Sequence, residues 1–164
     1  MSFQYTSLNF DHNDAFPLAG DADAMATAML ERGELACTVL RVLDGLEYGK
    51  GHTIAFDRVD DMGYFNPVDS AAMRGVGYIV ATREIARFKF VRDTDFRSLM
   101  SDIADNSRDI AASDGVGLWS DPDTGDVVLD AVRVYLSRDT AENVGRAHMQ
   151  YSIYDISAGE EIFM

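Results

Sequence analysis

The chain has 164 residues, 47% of them hydrophobic, and a formal net charge of −14. That length fits one domain with a core large enough to fold without staples, and that apolar content excludes disorder as the default. The charge excludes a basic nucleic-acid-binding face and attraction to an anionic membrane surface, and the single cysteine excludes an internal disulfide or a cysteine-based zinc site.

Residues 1–20 read as extended or irregular, with Phe3, Tyr5, Leu8 and Phe10 suited to an edge strand. This start has neither the basic region nor the apolar core of a signal peptide, and no apolar stretch approaches the roughly 20 residues of a membrane span. The expected location is the cytoplasm. A short helix is expected over 21–32, with Asp21 or Asp23 in its first turn, Met25, Met29 and Leu30 on its apolar face, and Gly33 as its stop. Residues 34–43, rich in Val and Leu, read as a strand, which makes Cys37 a buried, inert thiol. A turn over 44–51 then leads to a second strand at Thr53, Ile54, Ala55 and Phe56.

Residues 57–75 read as loop, with a helical turn near 69–73. Gly75-Val76-Gly77-Tyr78 lacks the further Gly of a dinucleotide fingerprint and the Lys-Ser/Thr of a phosphate loop, so it reads as a flexible lead into a strand within 77–91. The next helix is expected over 94–112, capped by Thr94, with Phe96, Leu99, Met100, Ile103 and Ile110 on one side. Asp121-Pro122-Asp123-Thr124-Gly125-Asp126, set between Leu118-Trp119 and Val127-Val128-Leu129, reads as a hairpin loop with Gly125 at positive φ. It is not an EF-hand, because Asp126 occupies the sixth position where Gly is needed and Val132 the twelfth where Glu is needed. A strand to about Leu136, a helix over 139–149 capped by Asp139 or Thr140, and a last strand over 151–156 follow, with Glu160-Glu161 in a solvated tail. These elements predict an α+β fold, a mainly antiparallel sheet with two or three packed helices. Residues 1–164 form one domain in this reading, and 115–164 a C-terminal ββαβ subdomain within it.

The run Gly117-Leu118-Trp119-Ser120-Asp121-Pro122-Asp123-Thr124-Gly125, followed by Val128-Leu129-Asp130, Ala141, Arg146-Ala147, Gln150 and Ile153-Tyr154-Asp155, resembles a ββαβ module in uncharacterised proteins of actinobacteria, their phages and other mobile elements. It spans the last third of the chain. The resemblance implies a mobile-element setting and no particular chemistry.

No sequence motif for catalysis or for a metal stands out. His12, His52 and His148 include no pair four apart on a helix, and no cofactor is expected. The charge pattern says more. A mildly basic stretch, Arg74 to Arg97, runs into an acidic one in which Arg108 alone offsets eight aspartates between Ser98 and Asp130. On one helix, Asp102, Asp105 and Asp109 are three and four apart and share a face, with Cβ atoms about 5–6 Å apart, the order needed to imitate successive phosphates. The expected function is that of a non-enzymatic interaction protein, a mobile-element inhibitor that mimics nucleic acid and occupies a basic surface of a nucleic-acid-binding host defence protein. It would bind neither nucleic acid nor membrane itself. The expected contact residues are Asp102, Asp105, Asp109 and Asp114, extended by Asp121, Asp123 and Asp126. Two other readings stand beside it. One is a small enzyme or ligand-binding domain whose site is assembled from separated residues. The other is a housekeeping protein whose acidity, with only Lys50 and Lys89 as lysines, serves solubility alone.

Overall fold

The computed structural model of the chain describes residues 19–47, 50–58, 65–68, 75–89 and 95–164. In chain order the elements are α1 (Ala19–Asp44), β1 (His52–Arg58), β2 (Phe65–Val68), β3 (Tyr78–Phe88), α2 (Phe96–Asp105), α3 (Ser107–Ala111), β4 (Gly115–Ser120), β5 (Val127–Tyr135), α4 (Arg138–Ala147), β6 (Ser152–Asp155) and β7 (Glu160–Phe163). The strands form one sheet in the order β2-β1-β4-β5-β3-β6-β7, and every neighbouring pair is antiparallel. The fold is therefore α+β with an antiparallel sheet, as expected, and has four helices among the described residues. Because β3 lies between β5 and β6, the stretch 115–164 does not close a sheet by itself.

Strand partners directly opposite each other share a face of a sheet, so the register sorts the side chains. Ile54 lies opposite Val116, Leu118 opposite Leu129, and Phe88 opposite Val127. These residues form the main core with Leu35, Ala36, Val39 and Leu43 of α1, Leu99, Met100 and Ile103 of α2, and Ile110 of α3. Val80 is opposite Arg133, on the same face, and with Ile153 it is covered by Ala141 and Val144 of α4. All the described helices therefore lie on one side of the sheet. None of them is long and apolar enough to cross a membrane.

Several expectations needed correction. The helix at 21–32 and the strand at 34–43 are one helix, α1, which passes through Gly33. Leu35, Ala36, Val39 and Leu43 recur at helical spacing, and an apolar run of that length fits either periodicity until something packs on it. As a result Cys37 points off the buried stripe and is exposed. The helix expected over 94–112 divides at Asn106 and is capped by Asp95, whose Oδ1 accepts from the Ser98 N–H at 2.7 Å. The last helix begins at Arg138, with Ser137 as its cap. Glu160 and Glu161 belong to β7 and remain exposed. The expected edge strand at Phe3, Tyr5, Leu8 and Phe10, the turn at 69–73 and the Thr94 cap lie outside the described residues. The hairpin holds as expected, joining β4 to β5 with Gly125 at φ 74°.

Helix α4 ends in a Schellman motif. The Gln150 N–H donates to the Gly145 carbonyl at 2.9 Å and the Met149 N–H to that of Arg146 at 3.0 Å. Met149 takes the left-handed position usually given to Gly, at φ 54°, with its side chain 86% exposed. Met149→Gly is expected to stabilise the fold by about 1 kcal/mol, because it removes the Cβ conflict of that conformation and gives up no buried contact. Chemical denaturation measures this, and a loss of stability would show that the exposed methionine makes a contact the backbone argument omits.

Candidate functional site

The seven aspartates expected to contact a partner do not form one surface. Asp102 and Asp105 lie on α2 and Asp109 on α3. Between them Asn106 breaks the helix. Its side-chain amide donates to the Asp102 carbonyl at 2.8 Å, and its Oδ1 accepts from Arg83 Nε at 3.1 Å. The row of three thus crosses a helix junction. Asp102 is half-buried, and its carboxyl is pushed above the usual range by that burial and by the Asp105 charge. Asp109 faces Arg83 at 3.9 Å, both side chains more than half exposed, a geometry that adds little stability.

Asp114 has a structural duty. Its Oδ2 accepts from the Val134 N–H at 2.8 Å, beside the backbone bond from the Asp114 N–H to the Val132 carbonyl at 2.9 Å. The hairpin tip lies at the far end of β4, roughly 20 Å away for six residues of strand. There Arg87 collects the carboxylates. Its Nη1 is 2.8 Å from Asp121 Oδ2 and 3.6 Å from Asp126 Oδ2, and its Nη2 is 2.8 Å from Glu84 Oε1. Asp121 also accepts the Asp123 N–H at 2.9 Å, an Asx turn. The Arg87 guanidinium, and then the backbone N–H of Asp123, hold the Asp121 carboxyl below its usual range, while Asp121 and then Glu84 hold Arg87 well above the ordinary guanidinium value. Asp121 and Asp126 are thus neutralised within the hairpin, and Asp123 stays exposed at its tip.

The face of the sheet opposite the described helices carries further groups. Asp130 sits in the middle of β5, opposite Gly117 of β4 on one side and Glu84 of β3 on the other. Register places Trp119, Val128, Val132, Ile79 and Tyr154 on this same face. Val132 is fully buried without belonging to either helix-covered core. On this same side Trp119 and Tyr154 approach to 6.4 Å between ring centroids. Two strands separate β4 from β6, so a flat sheet would hold them about 14 Å apart. The register shifts along β3, at Ala81/Arg83 and Glu84/Ala86, supply the curl.

The Trp119 ring lies on glycine. A Cβ at Gly117 would stand 2.6 Å from the indole Nε1, and one at Gly51 would stand 2.7 Å from Cε3. The Asp130 carboxyl is pushed up to about 7, chiefly by burial and then by the Glu84 charge, with Arg87 opposing. It forms no hydrogen bond or ion pair with a described residue. The buried Trp119 Nε1 has no acceptor either, a shortfall of about 1–3 kcal/mol.

No known protein family, curated protein or solved structure matches the chain.

Function must therefore be argued from these two surfaces. Among the described residues no three His, Cys, Asp or Glu side chains are grouped to hold a metal ion. The α2–α3 surface offers carboxylates to a basic partner. The opposite face carries a half-buried carboxyl, a buried indole N–H and two aromatic rings. One signal for the second was visible in the sequence, the lone Asp130 inside the apolar run Val127-Val128-Leu129-Asp130-Ala131-Val132. That run gives no hint that Trp119 and Glu84 are its neighbours.

Proposed function

We propose that the protein is a non-enzymatic, acidic interaction protein that occupies a basic surface of a nucleic-acid-binding protein, in the mobile-element setting implied by its C-terminal third. The contact narrows to Asp102, Asp105 and Asp109, with Asp123 as a separate outlying charge. One observation carries this reading: the Asp102 carboxyl on α2 is raised by burial and then by the neighbouring Asp105 charge, and no cation opposes either effect. Like charges held together without a counter-ion weaken a helix, and a partner's arginine or lysine side chains would relieve that repulsion. Asp114, Asp121 and Asp126 are engaged inside the chain and leave the contact set.

The test begins with a partner captured from host lysate. Wild-type binding is expected to weaken as salt rises, since exposed charges are screened. Changing Asp102, Asp105 and Asp109 together to Asn nearly preserves shape and should weaken binding about tenfold or more, with folding retained. Nucleic acid should compete for the same partner. A triple variant that binds as tightly as wild type, or a partner that holds nucleic acid and this protein together, removes mimicry by α2–α3 and leaves solubility as the reason for the acidity.

A further inference from the structure

Among the described residues β7 pairs with β6 alone, so it ends the sheet with an open edge. In an antiparallel ladder, directly opposed residues alternate between pairs that exchange backbone hydrogen bonds and pairs that do not. The Met164 N–H donates to the Tyr151 carbonyl at 3.0 Å, which makes these two a bonded pair. Counted along the register from there, Ile162 with Ile153 and Glu160 with Asp155 are bonded pairs, while Phe163 opposite Ser152 and Glu161 opposite Tyr154 are not. The backbone N–H and C=O groups of Glu161 and Phe163 therefore point outward, away from β6. No described residue bonds to either. Their side chains share the face that carries Tyr154, whereas Ile162 packs beside Ile153 on the α4 side. Phe163 is 75% exposed, and Glu161 is exposed as well. The arginines of α4, Arg138 and Arg146, are turned to Glu142 and not to this carboxylate.

We propose that β7 is a docking edge for an extended, basic segment of a partner protein, which adds a strand to the sheet with an arginine or lysine opposite Glu161 and an apolar side chain opposite Phe163. Each outward residue supplies one backbone donor and one acceptor. Strand addition takes its affinity from such main-chain bonds and its selectivity from alternate side chains. The period of two along a strand puts the partner's cation and its apolar group two residues apart. Short length and charged side chains are how sheets keep an edge from pairing with copies of itself. A second copy would bring its own Glu160 and Glu161, and a net charge of −14, to the same edge. The carboxylates that repel a copy thus select a cationic strand. A nucleic-acid strand is repelled in the same way, because its phosphates would face these carboxylates. The opposite edge of the sheet is blunted, since Pro67 within β2 has no N–H to offer. The docking edge uses no residue of α2 or α3, and its test needs no captured partner, so its failure leaves the reading of those helices untouched.

The probe is the capped peptide acetyl-Thr-Arg-Thr-Ile-Thr-amide, and the readout is amide hydrogen exchange followed residue by residue by NMR. In the free chain the Glu161 and Phe163 amides are expected to exchange fast and the Ile162 amide slowly. The peptide should slow Glu161 and Phe163 saturably and leave Ile162 unchanged. The same peptide N-methylated at its Arg and Ile cannot donate to β7 and should protect neither amide. Glu161→Lys should weaken the Arg peptide about two- to fivefold, the range of an exposed ion pair, and should prefer the peptide with Glu in place of Arg by a similar factor. That reversal separates a charge pair from a loss of folding. The variant with Asp102, Asp105 and Asp109 changed to Asn is the control for general attraction to an acidic protein and should bind the Arg peptide as wild type does. The proposal is overturned if the peptide protects neither amide, if the N-methylated peptide protects them equally, if Glu161→Lys still prefers the Arg peptide, or if the α2–α3 variant loses as much affinity as Glu161→Lys. Protection of Glu161 and Phe163 that grows with protein concentration in the absence of peptide would identify a second copy as the occupant, and would overturn it too.

Discussion

At pH 8, Asp130→Asn is expected to be about 2–4 kcal/mol more stable than the parent chain, and near pH 3 the two should be alike. The sign follows from the direction of the shift. Burial raises the Asp130 carboxyl from its ordinary 3.8 to about 7, so between those values the folded chain holds a proton that the unfolded chain has released. Folding then favours the protonated form, and stability declines as pH rises through this window until Asp130 ionises in the fold as well. Three pH units at about 1.4 kcal/mol each set the ceiling. Asn has almost the same shape and cannot ionise, so its advantage should open across the window and stay level above it. Comparing the two chains by urea denaturation at each pH cancels the titration of all other groups. A constant difference from pH 3 to pH 8 would mean that Asp130 is as well solvated as an ordinary carboxylate, and its burial in the sheet would be wrong.

Gly117→Ala should cost about 2–4 kcal/mol and shift Trp119 emission to longer wavelength. The new Cβ would lie 2.6–2.8 Å from Nε1, Cε2 and Cζ2, closer than carbon atoms approach. The indole cannot yield toward β1, because Gly51 already lies against its other edge. The ring must therefore swing off the sheet, exposing its own area. An Ala in β4 has no backbone conflict of its own, since Gly117 has no positive φ. Stability and emission both unchanged would show that the ring does not rest on Gly117.

The hairpin between β4 and β5 follows from the sequence alone. Pro122 presets a turn, Asp121 bonds the backbone two residues on, and Gly125 takes positive φ, so every cause lies within six residues. Helix in the stretch 94–112 was legible for the same reason, its apolar positions repeating at helical spacing, although its cap is Asp95 and it divides at Asn106. The antiparallel α+β class follows from such local patterns taken together. Local pattern failed where only a distant neighbour decides. The run from Leu35 to Leu43 suits strand or helix equally, and the contact of α1 with α2 and the sheet selects helix and turns Cys37 outward. Asp102, Asp105 and Asp109 are regularly spaced in sequence, yet Asn106 divides their helix because its side chain finds the Ile85 carbonyl and Arg83 on β3. Asp121 and Asp126 read as free charges until Arg87, more than thirty residues earlier, is brought against them. The Asp130 site depends on tertiary structure throughout. Its carboxyl is buried between β4 and β3 and pressed by the Glu84 charge of β3, which the sheet pairing sets opposite it. Burial and electrostatic coupling depend on distance in space, and a sequence specifies that distance only after the strands have paired.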